Sequence, residues 1–182
     1  LGKLSTKFST HVLDATNEWF LLLNKKSEVD GLPERVLELM AISAHNHLKK
    51  DEEVDIKNGP WKLSLDIPTY TSFMTYATER NLREKLYKAF VGRASQGEKN
   101  NSQIIEEILS LRTKQANLLG YKSWAELSLS TKMAKKIKNV ENLLEELRAP
   151  AFKTAKIELE MLDKFSKANG FSESQNMEPW DI

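Results

Sequence analysis

Three histidines, His11, His45 and His47, are the side chains of this 182-residue chain best suited to bind a transition metal or to move protons near neutral pH. Zinc hydrolysis needs several ligands, commonly two of them in a His-Glu-x-x-His pattern on one helix. His45-Asn46-His47 instead has i, i+2 spacing, which points the rings to nearly opposite faces of a helix, or to the same face of a strand. No third ligand is evident nearby, so a structural or solvent-facing role is expected rather than a metal site. With no cysteine, disulfides, thiolate nucleophiles and Cys-ligated zinc are excluded together. There is no Gly-x-Ser-x-Gly elbow, and the glycines are scattered singly rather than gathered into a phosphate-binding loop.

The charged candidates are equally plain. Glu106 with Glu107, and Glu145 with Glu146, lie in segments dense in charge and read as solvated helix faces, not as acid/base pairs. "KMAKKIK", Lys132 to Lys138, is the one basic cluster; its four lysines lack interleaved aromatics and read as an exposed helix end before a phosphate contact. Trp61, Trp124 and Trp180, with Tyr70, Tyr76, Tyr87 and Tyr121, stand beside apolar residues at structural periodicity. Core or interface packing is expected of them rather than a stacking platform. No position is therefore assigned a catalytic, cofactor-binding or metal-binding role.

The elements that would position any such residue are mostly helical. Hydrophobic residues make up 40% and charged residues 29%, with 7 Gly and 5 Pro, which is the composition of a globular protein long enough to bury a core. A net charge of +1 supplies no global field for nucleic acid or an anionic membrane, and the run "WFLLL" is far too short to span a bilayer. Leu4, Phe8, Val12 and Ala15 share one helical face. Trp19 to Leu23 and the alternating "WKLSLD" (Trp61 to Asp66) read as two short strands that can pair around an intervening helix. That helix begins near Pro33 and carries Val36, Met40, Ser43 or Ala44, and His47. The charged stretch from Lys49 to Gly59 is expected to be a loop.

Pro68 opens a short helix to about Ala77, and Leu82, Leu86, Phe90 and Ala94 mark an amphipathic helix fading at Gly97. Asn101 or Ser102 is the expected cap of the next helix, whose broad stripe of Ile104, Ile108, Leu111 and Leu118, flanked by Ile105, Leu109, Ala116 and Leu119, implies burial on more than one side. In "LLGYKSWAEL", Gly120 suits a helix end with positive φ, while Ser123 and Glu126 have capping-box spacing. Asn139 is the expected cap of a long final segment with Val140, Leu143, Leu144, Leu147, Phe152, Ala155, Leu159 and Leu162. A kink or break is expected at Pro150, and the segment ends at Gly170. The fold class is thus mainly α, about seven helices with at most a small two-stranded β element, in a single segment over 1–182 with a possible kink or sub-boundary near 139–150.

Six blocks carry a resemblance. "LSTKFSTHVLDAT", "GLP", "LDIPTY", "LREKLYKAFVGRAS", "IIEEILSLRTKQANLLGYKSWAELSLSTKMA" and "PWDI" occur here in the same order and at similar spacing as in the thimet oligopeptidase and oligopeptidase A family of zinc metallopeptidases. The chain resembles the oligopeptidase A branch more than thimet oligopeptidase. The resemblance implies a mostly helical enzyme in which a deep channel admits short peptides. Its zinc is held by the two His of a His-Glu-x-x-His helix and a downstream Glu, normally well after the segment similar to "PWDI".

None of the matching blocks contains a zinc or catalytic residue, so the segment alone is expected to be inactive and to furnish channel wall. The alternative is a truncated paralogue acting as a binding or regulatory module. Zinc is expected in the complete family enzyme and not in this chain. Expected partners are short peptides through that enzyme and the remainder of the peptidase or a full-length relative, with neither nucleic acid nor membrane. The chain opens at Leu1 without an initiator Met and closes on Trp180 and Ile182 with no obvious local partner, so both ends are expected to be cut points. No signal or transit peptide is recognisable, and the cytoplasm or an organellar matrix (mitochondrion or chloroplast) is the expected compartment rather than secretion.

Overall fold

Helix-period and strand-period patterning alternate along this chain, and the computed structural model describes residues 1–48, 54–172 and 176–182. The described elements are α1 (Gly2–Glu18), β1 (Phe20–Leu23), α2 (Glu34–Leu48), β2 (Trp61–Ser64), α3 (Ile67–Tyr76), α4 (Arg80–Val91), α5 (Ser102–Leu118), α6 (Trp124–Leu129) and α7 (Ile137–Ala168). Among the described residues this is a seven-helix chain with one two-stranded antiparallel sheet, the expected fold class. It divides into two compact units. A sheet-bearing unit comprises Thr6–Ser102 and Glu178–Asp181, and a helical unit comprises Leu1–Ser5, Gln103–Met177 and Ile182.

In the sheet-bearing unit, β1 and β2 pair from Phe20 opposite Ser64 to Leu23 opposite Trp61. The period-2 alternation of β2 turns Trp61 and Leu63 inward, at 1% and 0% exposure, while Lys62 and Ser64 stay half-buried. Helices α2 and α3 pack on β2, and α4 packs on α3. Their apolar faces supply Met40, Ala41, Phe73, Leu82 and Leu86 to a core shared with Leu23, Val29, Leu32 and Leu65. Each large side chain buried in this way contributes about 1.5–3 kcal/mol. Asp66 caps α3 by accepting from the Thr69 N–H at 3.0 Å, with Pro68 in the first turn where no N–H is needed. Of the expected Lys49–Gly59 loop, 49–53 lie outside the described residues. The remainder is turn and irregular backbone, in which Asp55 accepts from the Lys57 and Asn58 N–H groups, each at 2.9 Å.

Two expectations in this unit need correction. Helix α4 stops at Val91, so Ala94 is not its next turn; it sits in a loop at φ +51° with 8% exposure, and its carbonyl accepts from the Asn101 N–H at 2.9 Å. Asn101 does not cap α5 with its side chain. It is 3% exposed and its Nδ2 donates to the Phe8 carbonyl at 3.1 Å, while Asn100 Oδ1 accepts from the Ser102 N–H at 2.8 Å. A buried amide bonded to α1 is committed elsewhere, and the neighbouring Asn supplies the cap.

The helical unit contains α5 beyond its first residue, α6 and α7. The turn at 118–124 follows its sequence signals. Gly120 has φ +80°, the Tyr121 N–H reaches the Ala116 carbonyl at 2.9 Å, and the Gly120 N–H reaches Asn117 at 3.1 Å, which is a Schellman termination. Ser123 Oγ then accepts from the Glu126 N–H at 3.2 Å. Glu126 returns to the Lys122 N–H at 2.8 Å, one residue earlier than the reciprocal box requires. Helix α7 starts at Ile137, so Asn139 is inside it and donates to the Ala134 carbonyl at 2.9 Å rather than capping it. Of the kink or break expected at Pro150, the break does not occur: the 32-residue helix runs through Pro150. The broad stripe on α5 is not covered all round either. Ile104 and Ala116 are buried, but Leu109 is 55% and Leu118 87% exposed.

Candidate functional site

The histidines are not brought together. His11 lies half-buried on α1, and its buried Nδ1 has no hydrogen-bond partner among the described residues. His45 and His47 lie on α2, where i, i+2 spacing separates them. His45 is half-buried, whereas His47 is exposed and meets the Phe20 ring edge-on with centroids 4.3 Å apart. Among the described residues no three His, Cys, Asp or Glu side chains converge as a metal site, so the donors present do not fit a catalytic zinc, which takes three protein ligands. Glu106, Glu107, Glu145 and Glu146 are exposed on their helices, and Glu145 forms a local pair with Arg148 at 2.7 Å. In the lysine cluster, Lys132 Nζ donates to Ser128 Oγ at 2.8 Å beside an almost fully exposed Met133.

The aromatic residues divide by role. Trp61 is core, and Tyr70 stacks on Phe90 with centroids 4.0 Å apart. The Arg93 guanidinium also lies over the Phe90 ring, 3.7 Å from its centroid. Burial raises the Tyr70 hydroxyl above its ordinary value. This stack adjoins an open cleft of about 650 Å³ lined by Ala15, Trp19, Leu65, Arg93, Ala94 and Lys99, among others. Glu18 and Lys99 form an ion pair at its rim, and Arg93 donates to the Phe90 carbonyl and to Thr16 Oγ1, so its principal charges already have partners. The cleft presents mixed charge and no nucleophile–base pair.

The most heavily built polar cluster is one that sequence reasoning missed. Arg80 and Arg83, one turn apart on α4, converge on Asp181. Arg80 grips the carboxylate with two hydrogen bonds, Nε to Oδ1 at 2.8 Å and Nη2 to Oδ2 at 2.7 Å, and Arg83 approaches Oδ1 at 3.5 Å. The Arg83 Nε also donates to the Trp180 carbonyl at 2.9 Å. The Asp181 side chain is only 3% exposed. Burial by itself would raise its carboxyl, but the Arg80 hydrogen bonds, the Glu178 N–H and the two guanidinium charges together hold it below the usual carboxylate range. Trp180 packs against Tyr87, with centroids 5.7 Å apart, and under Lys88 at 5.3 Å. Trp180 finds its partners not locally but some ninety residues earlier, where no periodicity links them. The only signal available was the i, i+3 spacing of the two arginines opposite an isolated Trp-Asp. Such a cluster can hold a carboxylate and an indole; it has no means to activate water.

Comparison with known proteins places this geometry in context. The family model described as peptidase family M3 matches residues 73–182. Over 182 residues the chain is 42% identical to the probable cytosolic oligopeptidase A of Arabidopsis thaliana, covering 100% of this chain and 26% of that relative. It is 44% identical over 181 residues to the organellar, chloroplastic/mitochondrial oligopeptidase A of the same plant, covering 100% of this chain and 22% of the relative. It is 39% identical over 188 residues to oligopeptidase A of Escherichia coli (strain K12), covering 100% of this chain and 26% of the relative. The chain thus spans about a quarter of the length of the curated relatives it matches.

Proposed function

This chain belongs to peptidase family M3, a family of peptide-degrading enzymes, and on that premise we propose that it is a non-catalytic helical part of a zinc-dependent oligopeptidase, forming wall of the channel that admits short peptides. The observation that carries this reading is the similarity of the whole chain to about a quarter of the length of its oligopeptidase A relatives. All 182 residues align with oligopeptidase A relatives, yet the described ones gather no metal-binding group. Zinc, which polarises a carbonyl and lowers the pKa of bound water, is assigned in this reading to the complete family enzyme. The apolar positions left open on α5 and α7 are surfaces for the remainder of the peptidase. The relatives named as cytosolic and as chloroplastic/mitochondrial support the cytoplasm or an organellar matrix as the compartment. Among the described residues no helix is long and apolar enough to cross a membrane.

The test is hydrolysis of a fluorogenic peptide with added zinc, run on this chain and on a form extended to the length of its relatives. Turnover by the extended form alone is the expected outcome, and zinc-dependent turnover by the 182-residue chain would overturn the proposal. The same exposed apolar residues also favour a second reading, a truncated paralogue that acts as a binding or regulatory module by pairing with a full-length relative. Light scattering and pull-down against such a relative separate the two. A monomer that captures nothing counts against the module.

A further inference from the structure

The segment Glu178–Asp181 clusters with the sheet-bearing unit although the residues before it cluster with the helical one. Its only regular structure is a single 3-10 turn, Pro179–Asp181, and its neighbour is α4. We infer that the Arg80, Arg83 and Tyr87 face of α4 is a receptor for a tryptophan–aspartate peptide, occupied in cis by Pro179–Asp181 acting as a detachable latch.

Four observations support this independently of the peptidase reading. First, the latch adds no residue to the apolar core, so leaving its seat opens no cavity there. It is held by the Arg80 pair, by Arg83 to the Trp180 carbonyl, and by ring contacts. Second, the seat is braced without it. Arg83 Nη1 also donates to the Ala77 carbonyl at 2.6 Å, and Lys88 is paired with Glu84 at 2.5 Å, so these two cations have partners besides the latch. Preorganised donors of this kind lose little freedom when a ligand arrives.

Third, the chemistry is selective. Two parallel bonds from one guanidinium need a planar carboxylate, and an indole lies between Tyr87 and the cations of Lys88 and Arg80 at 5.3 and 5.9 Å. A peptide with Trp followed by Asp satisfies both at once. Fourth, Trp180 Nε1 is buried without a hydrogen-bond partner among the described residues, an imperfection that weakens the seat relative to the core. The occupant that fits in trans is the same segment of a second copy of this chain.

Hydrogen exchange on the full chain tests the latch. Asp181→Asn removes the charge and half of the bidentate grip, and should speed exchange at 178–182 by at least about tenfold while β1 and β2 keep their protection. Arg80→Lys, which keeps charge but not the fork, should give a smaller increase and remains informative if the first variant folds poorly. The peptide Glu-Pro-Trp-Asp-Ile, blocked at both ends and added to Asp181→Asn, should slow exchange in α4, and its Trp-Asn counterpart should not. Unchanged exchange at 178–182, loss of protection in β1 and β2 in step with the latch, or equal or absent effects of the two peptides would each overturn the inference.

Discussion

The sheet-bearing unit and the helical unit both carry apolar stripes, yet the first covers far more of its own: among the described residues of the second only Ile104 and Ala116 are buried. Trp61, Phe73, Met40, Leu63 and Leu86 are at most 1% exposed, while on α7 not one residue is buried and Leu144, Leu147, Phe152 and Phe165 are each more than half exposed. An amphipathic pattern states which face of a helix seeks cover, and leaves open whether that cover lies in the same stretch of chain. In the first unit α2 and α3 meet one sheet, and α4 packs on α3. In the second, the α7 stripe is left exposed.

Truncation should separate the units most sharply. Phe73→Ala removes a fully buried ring and should destabilise the sheet-bearing unit by about 3–5 kcal/mol, read from urea unfolding by circular dichroism. The glycines sharpen the contrast because Gly31 and Gly120 share nearly the same φ, +84° and +80°. An alanine at either pays about 1–2 kcal/mol for the left-handed backbone. At Gly31 its Cβ would also meet the Tyr76 carbonyl oxygen at 2.2 Å, whereas at Gly120 nothing lies within 4 Å. Gly31→Ala should therefore cost about 1–3 kcal/mol more than Gly120→Ala in the same unfolding assay.

Acid should act next, and locally. The folded Asp181 carboxyl lies below its unfolded value, so its stabilisation is complete above the usual carboxylate range and is lost as pH falls through the folded value. The charged and titratable groups around it are Arg80, Arg83, Glu178, Glu84, Lys88 and Tyr87. Protection at 178–182, taken relative to the intrinsic exchange rate at each pH, should fall only on strong acidification, and Asp181→Asn should lack that step. The smallest effect belongs to the open face of α7, where Leu147→Ala should change the stability of this chain by no more than about 0.5 kcal/mol.

Local signals predicted local structure well. The alternation read over Trp61 to Asp66, found over Trp61–Ser64, the helix opening at Pro68, and the Gly120 termination all depend on neighbours within a few residues, and all are found. Where several residues compete for one role, pattern chose the wrong members: Asn100 accepts the first free N–H in place of Asn101 or Ser102, because Asn101 is drawn to the Phe8 carbonyl and Ser102 is the first residue of the helix. Ala94 fitted the i+4 rhythm of α4 but stands beyond the helix end in a left-handed loop. The Arg80–Asp181 cluster was illegible because its members are a hundred residues apart, and spacing rules extend over one or two turns. The family resemblance needed several ordered blocks, and no single residue pair could have supplied it.

The claim that the open faces of the helical unit are wall surfaces for the rest of a peptidase is tested most directly by hydrogen exchange across α7, measured in this chain and in one extended to the length of its oligopeptidase A relatives. The account predicts that protection from Leu143 to Phe165 rises strongly in the longer chain while β1 and β2 are unchanged. Equal exchange of α7 in the two lengths would contradict it.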